Sequence, residues 1–188
     1  RCEMKAGLSI RAATRKTWVP AFAGMSGVMI PVTLETGDQA PAFDMATDGG
    51  GRARLSDFAG KTVVLYFYPK ADTPGCTTEG RDFSALIDDF AAADTVVIGV
   101  SRDPVKKLDR FKAKHDLKVI LGSDEDGTVC EAYGTWVQKQ LYGRAYMGVE
   151  RATFLIDGQG TIRRIWHKVK VKSHAMAVLE VSRAPGGS

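Results

Sequence analysis

Cysteine is scarce in this 188-residue chain: Cys2, Cys76 and Cys130 are its three, and no CxxC joins any two of them. An odd, widely spaced set argues against a disulfide framework and against a zinc site, and it predicts a reducing, cytoplasmic setting. Nor does any apolar run approach the ~20 residues that a membrane-spanning helix needs. The three histidines, His115, His167 and His174, lack metal-ligand spacing and read as packed or solvated side chains. Excess charge is missing from most of the chain as well. The net charge of +4 resides in residues 1–28, where Arg1, Lys5, Arg11, Arg15 and Lys16 face Glu3 alone. The rest balances acid against base, whereas a nucleic-acid-binding domain carries its basic excess on the folded part. A nucleic-acid partner and a membrane partner are therefore not expected.

Residues 1–31 are basic, poor in acids and without a sustained period, and Pro20 and Gly24 break their apolar run. They read as a disordered or non-native extension, with Met29 as a natural beginning; a targeting segment is the alternative. A compact domain is expected over 32–183 and a loose tail over 184–188. Inside the domain, strand and helix patterns alternate. Thr62–Tyr68 is a continuous apolar, β-branched and aromatic run, the pattern of a strand buried on both faces, and Thr95–Val100 is a second. Between them Phe83, Leu86, Ile87 and Phe90 fall at i, i+3, i+4, i+7, one stripe of an amphipathic helix. Asp103-Pro104 predicts an N-cap and N1 proline for a helix with Val105, Leu108 and Phe111 inward. A short strand over Lys118–Leu121 and a short helix over Thr128–Tyr133 follow. Thr153–Ile156 and Thr161–Trp166 flank Asp157-Gly158-Gln159-Gly160 as a hairpin, and a helix spans about Ser173–Val181. Two βα crossovers, a hairpin and a last helix predict an α/β protein of thioredoxin-like fold, with a central mixed β-sheet flanked by helices.

The segment that carries chemistry is Tyr66-Phe67-Tyr68-Pro69-Lys70-Ala71-Asp72-Thr73-Pro74-Gly75-Cys76-Thr77-Thr78-Glu79. A buried strand ends at Pro69, and Thr73 can N-cap a helix whose first residue is Pro74. Cys76 then falls in the first helical turn, where unpaired N–H groups and the helix dipole favour an anion. The thiolate is the nucleophilic form of cysteine, so this placement suits a reactive sulfur. The loop also sits at the carboxyl end of a central strand, where open α/β sheets place their sites.

Pro69-x-x-x-Thr73-x-x-Cys76 resembles the PxxxTxxC signature of the peroxiredoxins of the AhpC/TSA superfamily. The fuller FYPKADTPGCTTE resembles the bacterioferritin-comigratory, or Q-type, group. The likeness continues through Ser123-Asp124-Glu125, Tyr133–Trp136, Tyr142–Asp157 and Lys168-Val169-Lys170, and so covers about residues 35–183. The resemblance implies a thiol peroxidase that needs no metal, haem or flavin and reduces hydrogen peroxide or small organic hydroperoxides through a sulfenic acid. It makes Cys76 the attacking sulfur, Thr73 a hydroxyl that holds thiolate and peroxide, and Arg151 the cation that stabilises thiolate and leaving oxygen. Pro69 would shield the sulfur, Glu79 would hold the arginine in place, and Gly75 joins them as a supporting residue. By itself an arginine before a strand reads as a solvated side chain; only the resemblance raises Arg151 to a site.

Many Q-type members carry a second cysteine five residues after the first, and here that position is Arg81. Cys130, between Val129 and Glu131 and near Tyr133, reads as packed and inert. A single-cysteine cycle is expected, closed by thioredoxin, glutaredoxin or glutathione, in a monomer or weak dimer. A peroxide sensor or redox-regulated holdase without turnover is the alternative; a thiol–disulfide oxidoreductase would want the CxxC that is missing. Asp124-Glu125-Asp126-Gly127 lacks the remaining ligands of a calcium loop. Gly49-Gly50-Gly51 reads as a turn, and Lys106, Lys107, Arg110, Lys112 and Lys114 as a solvated helix face.

Overall fold

The computed structural model describes residues 33–184. The expectations for residues 1–31 and for the last four residues fall outside them.

Two strands come first that the sequence reading did not predict, β1 (Asp44–Thr47) and β2 (Arg52–Arg54). Gly49 and Gly50, at φ of 72° and 75°, turn one into the other; only glycine enters that region without steric cost. Both strands are short and alternate in exposure, so they leave no apolar run to detect.

The centre follows the pattern expected. β3 (Thr62–Phe67), β4 (Thr95–Ser101) and β5 (Ile120–Ser123) are parallel neighbours. Crossovers join them through α1 (Pro74–Ala85) with α2 (Ile87–Ala92), and through α3 (Val105–His115). After α4 (Thr128–Ala132), strands β6 (Trp136–Leu141) and β7 (Arg144–Val149) pair only with each other. Tyr142 and Gly143 turn this ribbon, both at positive φ. β8 (Ala152–Ile156) then runs antiparallel to β3, β9 (Ile162–Trp166) pairs with β8, and α5 (His174–Arg183) ends the domain. The resulting seven-stranded mixed sheet has the order β2-β1-β5-β4-β3-β8-β9.

Successive side chains of a strand point to opposite faces, and β3 separates two cores in this way. Val63, Leu65 and Phe67 pack with Phe43, Met45 and α4 on one side. Val64, Tyr66 and Tyr68 pack with α1, α2, α3 and α5 on the other. The central sheet is thus covered on both faces.

β5 begins two residues later than the Lys118–Leu121 expected, α5 runs on to Arg183, and two further helix boundaries differ from the sequence reading for physical reasons. The stripe Phe83–Phe90 is not one helix, because Leu86 (φ −102°, ψ 9°) breaks it into α1 and α2. Just before the break, the Ser84 hydroxyl donates to the Gly80 carbonyl at 2.7 Å and accepts the Lys118 N–H at 2.9 Å. Side-chain bonds of this kind compete with the helical ladder. At α3 the cap position falls on Pro104 rather than Asp103. The Asp103 carboxylate instead accepts the N–H of Ala71, 32 residues earlier, at 2.6 Å and pairs with Lys107.

Gly99 of β4 lies opposite Tyr66 of β3, and a Cβ there would come within 2.5 Å of the Tyr66 ring and hydroxyl. Tyr66 is fully buried and has no room to retreat. Gly99→Ala is therefore expected to destabilise the fold by about 1–3 kcal/mol through overpacking. Urea unfolding measures this, and a change below ~0.5 kcal/mol would show that the ring can move.

Candidate active site

The register of β3 against β8 assembles the site. Phe67 pairs with Ala152, so the end of β3 lies beside the start of β8. The loop after β3 leads to Cys76, and the residue before β8 is Arg151. Side chains 75 positions apart in sequence therefore meet at one corner of the sheet. The loop is tied down from α3 and the residues before it: Ala71 by Asp103, as above, and Asp72 by Lys114 at 2.9 Å and His115 at 2.8 Å. Asp72 takes a positive φ of 64°.

Thr73 is the N-cap of α1 in extended conformation and Pro74 is its first residue, as expected, which makes Cys76 the third. The Thr73 hydroxyl donates its proton to the Lys70 carbonyl at 2.9 Å. The donor assigned to the thiolate by resemblance is thus committed within the loop, and its free lone pairs can accept. Cys76 is 2% exposed. Its sulfur accepts a hydrogen bond from Arg151 Nη2 at 3.3 Å, while Nη1 of the same guanidinium pairs with Glu79 Oε2. Cys76 and Glu79 stand at i and i+3 on α1, so they share a face and the planar guanidinium spans them.

Gly75 gives the guanidinium room, since a Cβ there would lie 3.2 Å from Nη2. Pro69 is exposed at the end of β3 and lines the wall of a neighbouring groove together with Lys70. Arg81 points to solvent. Cys130 is wholly buried in the core on the other face of the sheet from Cys76. Burial, and then Asp124 beside it, push the Cys130 thiol well above its usual range. The Asp124 carboxylate accepts the N–H groups of Val129 and Cys130 at 3.0 and 2.7 Å. It serves the first turn of α4, which is the physical role of that acidic run.

The site is buried, and burial sets the charges of its side chains. Burial raises the Glu79 carboxyl to about 7, with Arg151 pulling the other way. Its Oε1 has no hydrogen-bond partner among the described residues, and neither do the buried hydroxyls of Tyr66 and Tyr68. Burial works against the Arg151 charge as well, but Glu79 and Cys76 more than offset it, so the guanidinium stays firmly protonated. His174 lies behind Arg151, its Nε2 2.8 Å from Thr153 Oγ1. Burial first, and then Arg151, lower it to about 4, which makes it neutral. Sequence reasoning took His174 as a packed or solvated histidine and did not see the tyrosine wall or Thr153 as neighbours of the site. No local pattern marks them, because their proximity arises from the sheet.

Residues 36–165 match the AhpC/TSA family. The chain belongs to that family, as a peroxiredoxin of the Bcp type. Peroxiredoxin Bcp of Bacillus subtilis is 46% identical over 149 residues, which are 79% of this chain and 95% of the relative. The bacterioferritin comigratory protein of Xanthomonas campestris superposes with a TM-score of 0.72 at 43% identity, covering 75% of this chain and 90% of the other. A cysteine-to-serine mutant of PrxQ from Xylella fastidiosa gives 0.76 at 38% identity, covering 80% and 96%. The thioredoxin-like fold class expected from the element order is that of these structures. Among the described residues of this peroxiredoxin no helix is long and apolar enough to cross a membrane.

His174 generates a pH dependence. In the unfolded chain it titrates near 6.5 and in the folded protein near 4. Between those values the unfolded state binds a proton that the folded state does not, so stability is full above 6.5 and is lost as pH falls towards 4. Glu79 contributes the opposite trend as pH rises from about 4.5 to 7. Substituting His174→Gln isolates the first term. Relative to the variant, the wild type should lose on the order of 2–4 kcal/mol between pH 6.5 and 4. Parallel denaturant titrations in the two proteins would overturn the assignment.

Proposed function

We propose that this peroxiredoxin is a thiol-dependent peroxidase of single-cysteine type, with Cys76 as the attacking sulfur. The observation that carries the reading is the buried sulfur in the first turn of α1, hydrogen-bonded to a permanently charged guanidinium. The cation and the helix N-terminus both place positive potential at the sulfur. The thiolate attacks the terminal oxygen of a hydroperoxide: an S–O bond forms, the O–O bond breaks, and the other oxygen leaves as alkoxide or hydroxide. That ion takes up a proton equal to the one the thiol released, which leaves Cys76 as a sulfenic acid and an alcohol or water as product. Arg151 Nη2 offsets the charge that moves from sulfur to the leaving oxygen. The Thr73 hydroxyl, with its proton on Lys70, accepts the O–H of the peroxide and orients it. Glu79 is a positioning residue that acts through Arg151. Alkyl peroxide reduction is the activity attributed to the Xanthomonas campestris relative. An external thiol (thioredoxin, glutaredoxin or glutathione, in a reducing cytoplasm) then restores the cysteine.

Two outcomes test this. Thr73→Val and Arg151→Met should each slow Cys76 oxidation by on the order of 10²–10³ in stopped-flow mixing with peroxide; rates within about a factor of two of wild type, under ~0.5 kcal/mol of barrier, would remove both from the mechanism. Cys130→Ser should turn over like wild type, and peroxide without added thiol should leave sulfenic and then sulfinic acid on Cys76. Intact mass spectrometry after one equivalent of peroxide checks the second: loss of two hydrogens mapping to a Cys76–Cys130 peptide pair would establish a two-cysteine cycle instead.

A further inference from the structure

Beside the reactive loop lies a groove of about 510 Å³ that the peroxide chemistry does not use. Its floor and walls are Pro69 and Lys70 of the loop, Arg102 at the end of β4, and the inner side of the β6–β7 ribbon with Lys139. Hydrogen peroxide is far smaller than this space, which falls in the range of small-molecule sites, ~300–1,000 Å³. Three cations line it, and among the described residues none of them has a carboxylate partner. Arg102 sits over the Trp136 ring, its Cζ 4.3 Å from the centroid, and donates to the main-chain carbonyl of Glu125 at 3.3 Å. Lys139 donates to the Val149 carbonyl at 2.6 Å. Desolvation pulls Lys139 below its usual range; Glu150 and Cys76 work against this, and Arg151 adds to it. The Glu125 side chain is the single acid on the lining, so the groove holds an excess of two positive charges.

We propose that this groove recognises the carboxylates of a small acidic thiol, which reduces oxidised Cys76. The inference rests on the single-cysteine reading above. With Arg81 in place of a neighbouring cysteine and Cys130 across the sheet, each turnover must bring in sulfur from outside. The loop that forms one wall of the groove leads directly into the first turn of α1, a helix end of low local stability. Cys76 sulfur freed by that turn emerges beside the cations. There the incoming thiolate attacks the sulfenic sulfur: an S–S bond forms, the S–O bond breaks, and the hydroxide leaves as water with the proton given up by the thiol. A second molecule of the thiol attacks the mixed disulfide, releases the symmetrical disulfide and returns Cys76. Arg102, held over Trp136, offers a fork for one carboxylate, and Lys70 and Lys139 supply point charges for a second.

The test separates the half-reactions. Cys76 is oxidised with one equivalent of hydrogen peroxide, then mixed with mercaptosuccinate, 2-mercaptoethanol or cysteamine, and rates are corrected for thiolate fraction. The dicarboxylate should react at least about tenfold faster than the neutral thiol, saturate with concentration and lose its advantage in high salt, with cysteamine slowest. Arg102→Gln should abolish most of that advantage and Arg102→Lys should keep part of it, while both leave oxidation by hydrogen peroxide unchanged. Equal corrected rates, or an advantage that survives Arg102→Gln, overturn the proposal. So does a result in which the substitutions slow only oxidation by a carboxylate-bearing hydroperoxide relative to cumene hydroperoxide, since the groove would then serve the oxidant. Failure of the first step to form a sulfenic acid would instead overturn the peroxidase reading on which the proposal rests.

Discussion

One guanidinium holds the site together. Arg151 is shared between the sulfur of Cys76 and the carboxyl group of Glu79, and the charge of a buried Glu79 would be costly without it. The pairing of β3 with β8 delivers the arginine, and one face of α1 delivers both of its partners. Loop, helix and strand converge because their backbone hydrogen bonds leave no other register. The rest of the local architecture supports that convergence. Asp103 anchors the loop, Gly75 leaves clearance for Nη2, and Tyr66 with Tyr68 closes the side away from solvent.

The arrangement is costly for stability and useful for chemistry. Glu79 is buried with one oxygen unpartnered, and its carboxyl is accordingly harder to ionise than usual. A buried ion pair of this kind is weak evidence for a stabilising role. Its value lies in direction: the carboxylate fixes the guanidinium plane so that Nη2 faces the sulfur and not solvent. The neutral His174 behind it adds no competing charge, and the packed aromatic wall keeps the local dielectric low, where a charge-assisted bond is strongest.

Much of the fold was legible because its central strands are buried on both faces. Thr62–Tyr68, Thr95–Val100 and Thr153–Ile156 announce themselves as unbroken apolar runs. β1 and β2 do not, being three or four residues long with exposed arginines, and β6 and β7 lie mostly in solvent, where no period is imposed. The break at Leu86 was hidden because the apolar stripe continues through it while Ser84 redirects the backbone. Asp103 shows a different limit: Asp-Pro is a sound local signal for a cap, yet a tertiary bond to Ala71 claims the carboxylate. In the site, Cys76 was readable from local rules, because Thr73-Pro74 opens a helix around it. Arg151 was readable only through family resemblance. Nothing in the sequence near Arg151 distinguishes it from a surface arginine, and the same holds for Arg102, Trp136 and Lys139 around the groove.

The distance along the chain between sulfur and guanidinium has a consequence for the newly made protein. While the polypeptide is still leaving the ribosome, Cys76 is exposed long before Arg151 has been translated, and β3 has no β8 to pair with. At that time the sulfur is an ordinary thiol without its cation. Only when the last hairpin emerges and inserts beside β3 does the cluster of Cys76, Glu79 and Arg151 come together, with the buried core on both faces of the sheet. Until then Cys76 has neither the burial nor the cation that the folded domain gives it.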